Sequence, residues 1–535
     1  MLDEASTQLP TDVLVVGAGP VGLVAAVDLA RRGVAVRIID KLPEPTDESR
    51  AVVLHARSLE LLDQLGVLDE IEATGVRTTG AQMHANGSIL GRVGFDTIDS
   101  PFPYSITIPQ TDTERILRER LSSLGVEIER GVTYTGLEQD ASEVRATLTH
   151  PDGTTEVARV AWLVGSDGAK GAVRHSLGLK LEGVFQGERF LMGDVDADFA
   201  HEKQSFHIFF SPGDAVGMLF PMAGERVRVI CQIPADTPET REPTLEWLQQ
   251  SVDEREMDVR IESSRWLTIF EIHHAQVPRY RTGRAFLAGD AAHVHSPAGG
   301  LGMNTGIQDA FNLTWKLAAA VQGRASEELL DSYHDERHPV AAEVIKFTTA
   351  LTHAGTLSSP FAREARNLLM KAALKMPLAR HSMANEIEQM TVEYRYAPLA
   401  ESGHRGPVRA GDPVRAVDEV GLWPALAHRD PSGSGYAFVL VADEAGTFPD
   451  VAAPTGAQTI RVAPTAEAGA LADPEGRVAA RYGLDERGGA ILVRPDGYIA
   501  AITDAEHPTD IDAYIAAVSA EHIAAVSPEP SEALR

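Results

Sequence analysis

The sequence predicts an α/β fold. A β-α-β unit opens the chain, a mostly β segment is inserted behind it, and a separate α/β domain closes it. Three observations carry this expectation. Residues 12–40 read as strand, glycine-rich turn, helix and strand. Between about Phe190 and His273 the pattern is strand-like, whereas helical patterns dominate from Gly306 to about Met390. After about Leu399, Pro-, Gly- and Ala-rich segments separate short strands.

Taken in order, Asp12–Val16 is a short buried strand, Val21–Arg32 a helix ended by Gly33, and Ala35–Asp40 a second strand. His55–Leu65 is a helix with Gly66 as its stop. Thr111 and Glu114 form a capping-box pattern that opens a helix running to about Leu124. Val144–Thr149 and Glu156–Val160 flank Pro151-Asp152-Gly153 as a β-hairpin, and Val160–Gly165 is a buried strand. Strands follow at Gln204–Phe210, Ala215–Met222, Val227–Ile233 and Trp266–Ile272, with a helix at Thr244–Ser251 and a further strand at Ala285–Ala288. In the last domain, Ala437–Val441 and Ala490–Val493 are strands, the latter leading into a hairpin that turns at Pro495-Asp496-Gly497.

Composition narrows the function. The 535 residues are 44% hydrophobic and 23% charged, as in globular proteins. The net charge of −29 argues against nucleic acid and anionic lipid as partners. A single cysteine, Cys231, excludes disulfide scaffolds, Cys-rich zinc sites and CxxC redox centres. The apolar run Val13–Ala30 is preceded by Asp3, Glu4 and Asp12 and contains Asp28, so it reads as neither signal peptide nor membrane span. A soluble, cytoplasmic protein is expected, with no membrane partner.

Gly17, Gly19 and Gly22 form G-x-G-x-x-G between a strand and a helix. The first permits the tight turn, the second lets backbone approach a pyrophosphate, and the third lets helix and strand pack closely. Asp40 ends the next strand, where a carboxylate can accept a ribose hydroxyl. This pattern reads as dinucleotide binding and leaves FAD and NAD unseparated. Two further segments bear on that choice: LVGSDGAKGAVR at 163–174 and AFLAGDAAHVHSPAGGLGMN at 285–304. Each sets an acid, Asp167 or Asp290, just after a buried strand. In the second, Gly299, Gly300 and Gly302 precede a helix expected to start near Thr305.

The three segments in this order resemble the class A flavin-dependent aromatic monooxygenases of the p-hydroxybenzoate hydroxylase fold, over about residues 11–400. The resemblance implies that Gly17, Gly19, Pro20 and Gly22 cradle the FAD pyrophosphate and that Asp40 and Lys41 serve its adenosine end. Arg50 and Gln110 match positions that contact FAD, Asp167 matches the Asp-Gly signature tied to both FAD and NAD(P)H, and Asp290 matches the ribityl ligand. Pro297, Gly300 and Gly302 match the wall beside the isoalloxazine and are the candidate catalytic positions. Leu301, Met303 and Asn304 complete that cofactor-binding loop. Gly171 stands where the family often has Ser. Residues 403–414 and 491–499 resemble the thioredoxin-like C-terminal domain of phenol and polyketide hydroxylases.

The implied architecture is a Rossmann-like FAD-binding domain (1–185 and 275–399), a mostly β substrate domain (186–274) and a thioredoxin-like domain (400–535). The implied reaction uses FAD, NAD(P)H (NADPH favoured) and O2 to hydroxylate a phenolic or polycyclic aromatic through a C4a-hydroperoxyflavin. A homodimer is one expectation for the assembly. A Baeyer–Villiger outcome stays open. Tryptophans at 162, 247, 266, 315 and 423 leave no W-x-W motif, which argues against a flavin halogenase. Retention of all three cofactor segments argues against a non-catalytic scaffold. No metal site is expected at His293-x-His295. Phe206, Ile208, Phe210 and Met218, Phe220, Met222 each cover one sheet face, read first as core and second as the wall of an aromatic substrate cavity.

Overall fold

The computed structural model describes residues 11–520 apart from 211–215, 235–236, 239, 297–298, 356–358, 485 and 505. Its first layer is a six-stranded sheet in the order 281–282, 285–287, 162–165, 13–16, 36–40, 128–130. Val13–Val16 lies at its centre, parallel to both Val36–Asp40 and Trp162–Gly165. These strands are nearly continuous apolar runs because helices cover both faces. The amino-terminal helix, Pro20–Arg31, makes the first crossover, and the central helix, Leu301–Val321, packs beside it. Gly33 ends the crossover helix at φ +75°.

The second layer is an eight-stranded sheet in the order 293–294, 259–276, 182–199, 226–233, 216–221, 205–210, 80–85, 88–94. Side chains alternate across it. Phe206, Phe210, Met218, Phe220 and Met222 are buried on one face with Phe190 and Met192. Leu191, Phe209, Leu219, Val229 and Cys231 are buried on the other, beneath the helix Leu245–Asp253. Thr244 caps that helix by accepting from the Trp247 amide. Burial pushes the Cys231 thiol up to about 11, so it is a packing residue rather than a nucleophile.

Two local expectations change, and one pairing adds to them. The capping box does not form: the helix at 110–123 starts at Gln110 after Pro109, and Glu114 instead accepts from the Gln110 side chain. The central helix begins at Leu301 rather than near Thr305. Strands Gly80–Ala85 and Ser88–Gly94 join the large sheet from outside the inserted segment, through a turn at Asn86-Gly87 with φ +51° and +65°. Among the described residues, no helix is long and apolar enough to cross a membrane.

The last domain is a five-stranded sheet. Strands 437–441, 458–463 and 470–472 run parallel, and 489–493 and 499–503 add antiparallel beyond 437–441. The helix Asp510–Val518 follows, in keeping with the thioredoxin-like expectation. This domain is locked to the rest by a buried ionic cluster. Glu336 accepts from Lys316 (2.8 Å) and from Arg494 (2.6 Å), and Arg494 also pairs with Asp496 (2.6 Å). Burial alone would raise the Glu336 carboxyl, yet Arg494 and Lys316 bring it down to about 2. Two cations thus face two carboxylates.

Glu336→Gln leaves two cations facing one carboxylate, and should cost about 3–5 kcal/mol in urea denaturation at pH 7. A carboxyl whose pKa falls on folding stabilises above its ordinary pKa of 4.5 and loses that effect as pH drops toward about 2. The wild type should therefore lose stability across that window, and the variant should lose less. An identical acid limb in both proteins would contradict this role.

Candidate active site

Sterics dictate the first turn. Gly17 leaves its strand at φ +104°, and a Cβ there would lie 2.5 Å from the Ser166 carbonyl oxygen. A Cβ on Gly22 would lie 1.9 Å from the Gly17 carbonyl oxygen. The protein's own backbone requires both glycines. Gly19 differs. Its backbone is extended (φ −76°, ψ −176°), and a Cβ there would meet nothing within 4 Å. Neither conformation nor packing asks for glycine at 19; a ligand held against the backbone would. Gly19 and Pro20 open the amino-terminal helix with no side-chain cap, leaving its first N–H groups to an anion.

The central helix presents a second uncapped N-terminus. Gly299 and Gly300 precede it at φ +85° and +70°. The first turns of the two helices meet at Val21, whose Cγ2 would lie 2.8 Å from a Cβ on Gly289 and 2.5 Å from one on Gly306. Asn304 ties this turn down, accepting from the His55 amide (2.9 Å) and donating to Val53 O (2.9 Å) and Gly300 O (2.8 Å). His55 donates through Nε2 to Gly299 O (2.8 Å). Leu301 and Met303 are buried in the same turn. Gly302 lies inside the helix, where a Cβ would meet only the His295 ring, at 3.7 Å. Pro297 lies outside the described residues.

The acids are distributed around this groove. Asp40 accepts from the Ala18 amide (2.7 Å) and the Leu42 amide (2.8 Å), so it fixes the glycine loop. Lys41 beside it is exposed. Asp167 accepts from the Val173 amide through Oδ2 (3.0 Å), while its buried Oδ1 has no hydrogen-bond partner among the described residues. Burial pushes this carboxyl up. A Cβ on Gly171 would lie 2.3 Å from that Oδ1, so a serine there would need Asp167 to move. Asp290 is open to solvent yet packed round by protein, as a cleft wall is; burial pushes its carboxyl up against the pull of His293 and Arg50.

Arg50 is exposed and pairs with Glu48 (3.0 Å). Gln110 acts as a strut beneath it, accepting from the Ala51 amide (2.9 Å). The structure adds residues that the sequence reading missed. Buried Arg228, on the large sheet, donates to Arg50 O (2.7 Å) and Ser49 Oγ (2.8 Å) and pairs with Asp194 (2.6 Å). Buried Asp309 accepts from the Gly289 amide (3.1 Å), His293 Nε2 (2.7 Å) and Arg337 (2.7 Å). That engagement makes His293 a strut of the 289–304 loop. His295 donates through Nδ1 to Ser296 O (2.9 Å), and its Nε2 is buried without a partner among the described residues. Burial, with His293, pushes His295 down to about 4, so it stays neutral beside Gly302 at pH 7. A sequence signal existed only for His293 and His295, through their place in the glycine segment; Arg228 and Asp309 carried none.

One open-space glycine, two uncapped helix ends, an unpaired buried carboxylate oxygen and a cleft-wall acid suit a dinucleotide carrying a ring system. The comparisons with known proteins decide which. The FAD binding domain family matches residues 10–348, and the phenol hydroxylase C-terminal dimerisation domain matches residues 447–522. The chain is 36% identical to 6-methylpretetramide 4-monooxygenase of Streptomyces rimosus, over 91% of this chain and 90% of that one. The chain belongs to the FAD-dependent aromatic monooxygenases. Among solved structures, this monooxygenase is similar to anhydrotetracycline hydroxylase from Streptomyces rimosus, with 30% identity and a TM-score of 0.74, covering 95% of this chain and 98% of that one. It is also similar to aklavinone-11 hydroxylase, solved with FAD and aklavinone, with 27% identity and a TM-score of 0.67, covering 96% and 99%.

Gly19→Val tests the fit of the cofactor without disturbing the protein. The cofactor-free variant should unfold within about 1–2 kcal/mol of the cofactor-free wild type, a cost set by the poorer helix N-cap, because a Cβ there meets nothing within 4 Å. FAD affinity, followed by flavin fluorescence quenching, should fall at least roughly 100-fold, about 2.7 kcal/mol. Unchanged FAD affinity would mean that the space beside Gly19 is not the pyrophosphate seat.

Proposed function

We propose that this monooxygenase hydroxylates a phenolic or polycyclic aromatic small molecule, with NADPH tested first as the electron donor and O2 as the oxygen source. One observation carries the reading. The segment that leads into the uncapped end of the central helix, His293–Val294, is itself the edge strand of the large sheet, one face of which is rich in Phe and Met. In that reading Gly17, Gly19, Pro20 and Gly22 seat the pyrophosphate, and Asp40 and Lys41 serve the adenosine. Arg50, Gln110, Asp167 and Asp290 border the cofactor's middle. The turn Gly300–Asn304, with Pro297, walls the flavin edge, its amides opposing the negative charge that a reduced flavin carries. Bound FAD supplies the redox chemistry, with the balance ArH + NAD(P)H + H⁺ + O2 → ArOH + NAD(P)⁺ + H2O.

The apolar face fits aromatic rings. Phe190 and Phe270 stack at 5.6 Å, and Phe206 lies 5.6 Å from Phe220 and 5.8 Å from Phe95. Trp266 and Phe270 are only partly buried there. The names of the relatives, which include an anhydrotetracycline hydroxylase and an aklavinone-11 hydroxylase, favour fused-ring polyketides in a first screen.

With FAD-loaded protein, a cognate phenol or polyketide should accelerate NAD(P)H oxidation at least roughly tenfold, a barrier change of about 1.4 kcal/mol. One atom of labelled O2 should enter the product, and product NMR separates ring hydroxylation from oxygen insertion beside a carbonyl. Consumption of NAD(P)H that ends only in hydrogen peroxide across the panel would overturn the reading.

We further propose a homodimer built through the C-terminal domain, supported by its match to the dimerisation family over 447–522. Light scattering should give about twice the 57.5 kDa chain mass, and a monomer at micromolar concentration would refute it. A cytoplasmic setting fits the demand for NAD(P)H.

A further inference from the structure

A second cluster of histidines lies on the large sheet, away from the glycine loops. Strands Gly80–Ala85 and Ser205–Phe210 pair in parallel, with Phe209 opposite His84 and His207 opposite Gln82. His207 and Phe209 point to the sheet face opposite Phe206 and Phe210, so the cluster is turned away from the Phe- and Met-rich face. His201 comes from the segment after the strand Glu182–Phe199. We propose that His84, His201 and His207 form a binding site for a divalent transition metal, zinc foremost, that pins this corner of the sheet.

The geometry is already close to a coordination set. The three ring centroids form a nearly equilateral triangle with sides of 5.3, 5.3 and 5.0 Å. One nitrogen from each ring lies within 4.8 Å of the others, and His84 Nε2 lies 3.1 Å from His207 Nδ1. Zinc–nitrogen bonds of about 2.0–2.1 Å in a tetrahedron set nitrogens roughly 3.3 Å apart. One edge of that tetrahedron is present, and small side-chain rotations close the others.

The far nitrogens point to the same use. His207 Nε2 faces Glu202 O at 2.9 Å, and His201 Nε2 faces Met257 O at 2.6 Å. A carbonyl only accepts, so both Nε2 atoms carry the proton and both Nδ1 atoms are left as lone-pair donors, that of His207 turned toward His84. Metal-binding histidines are oriented by this kind of outer hydrogen bond. His84 is held by stacking on Phe209 at 4.5 Å. Its Nε2–H donates to His207 without metal, and the tautomer protonated on Nδ1 offers the third lone pair. Burial also pushes His84 and His207 down to about 4, so both are neutral at pH 7. Three neutral imidazoles select zinc-like ions over calcium or magnesium, which require oxygen ligands. Half-buried His201 gives the entry path, and the fourth position falls to water.

The competing cluster, His404, Asp504 and His507, is poorer in free lone pairs. His404 spends both ring nitrogens, on Asp504 (2.6 Å) and on Tyr482 O (3.0 Å).

The test uses tag-free, FAD-loaded protein, stripped with EDTA and titrated with zinc, with cobalt(II) absorption as a second probe. One zinc per chain should bind with a Kd below roughly 1 μM and raise the melting temperature. His201→Ala, which alters a half-buried residue, should weaken binding at least 100-fold, and His84→Gln should do the same; His507→Ala should not. No binding at about 100 μM zinc, zinc binding unchanged in both His201→Ala and His84→Gln, or binding lost only in His507→Ala would each overturn the proposal.

Discussion

The structure depends on one steric constraint: two helix N-termini must share a groove. Val21 fills the gap between the amino-terminal and central helices, and it fits because Gly289 and Gly306 have no side chains to oppose it. A Cβ on Gly306 would press on Val21 from the central helix, and one on Gly289 would press on it from the turn before that helix, so Val21 or its neighbours would have to shift. Two positive helix ends set side by side repel one another in the empty groove. An anion between them converts that repulsion into attraction. The packing therefore sets up a field that a bound dinucleotide satisfies.

That local field has to work against the molecule's charge. At −29, the chain as a whole repels a pyrophosphate. Lys41 and Arg50 are exposed, and Arg50 is already paired with Glu48, so neither supplies a strong buried cation. Buried arginines are spent elsewhere, Arg228 on Asp194, Arg337 on Asp309 and Arg494 on Glu336. Screening confines surface charge to about 8–10 Å in physiological salt. Within that distance, oriented amides at contact range outweigh a diffuse negative surface. This is why the glycine segments, rather than a basic patch, carry the binding signal.

The same logic explains what was legible in the sequence. Gly17 and Gly22 were readable because their role is local: strand, turn and helix follow one another within the motif. Gly302 was misplaced because a glycine-rich run looks like a turn, yet only Gly299 and Gly300 take up the left-handed conformation and the helix closes over the third. The capping box at Thr111 failed because Pro109 already starts the helix and Gln110 claims Glu114. The strands at 80–85 and 88–94 went unread, and their membership in the large sheet is set by pairing with residues 205–210, far along the chain. Arg228, Asp309 and the histidine triad were invisible for the same reason: each acquires its role only when distant segments meet.

The two sheets are not independent supports. The long strand Val259–Gln276 runs through the large sheet, and its end pairs with the segment ahead of the central helix, Ala275 with Val294 and Gln276 with His293. His293 is held from its other side by Asp309, which also grips the Gly289 amide and Arg337. Burial alone would raise the Asp309 carboxyl, but Arg337 and His293 keep it below the ordinary range and so ionised. The 289–304 loop is thus clamped between the last residues of that long strand and a buried charged node on the central helix. Arg228 makes a second crossing, from the middle of the same sheet to the Arg50 loop. The large sheet is therefore hydrogen-bonded at two separate places to the two loops, 289–304 and the one carrying Arg50, so neither loop can shift without the sheet.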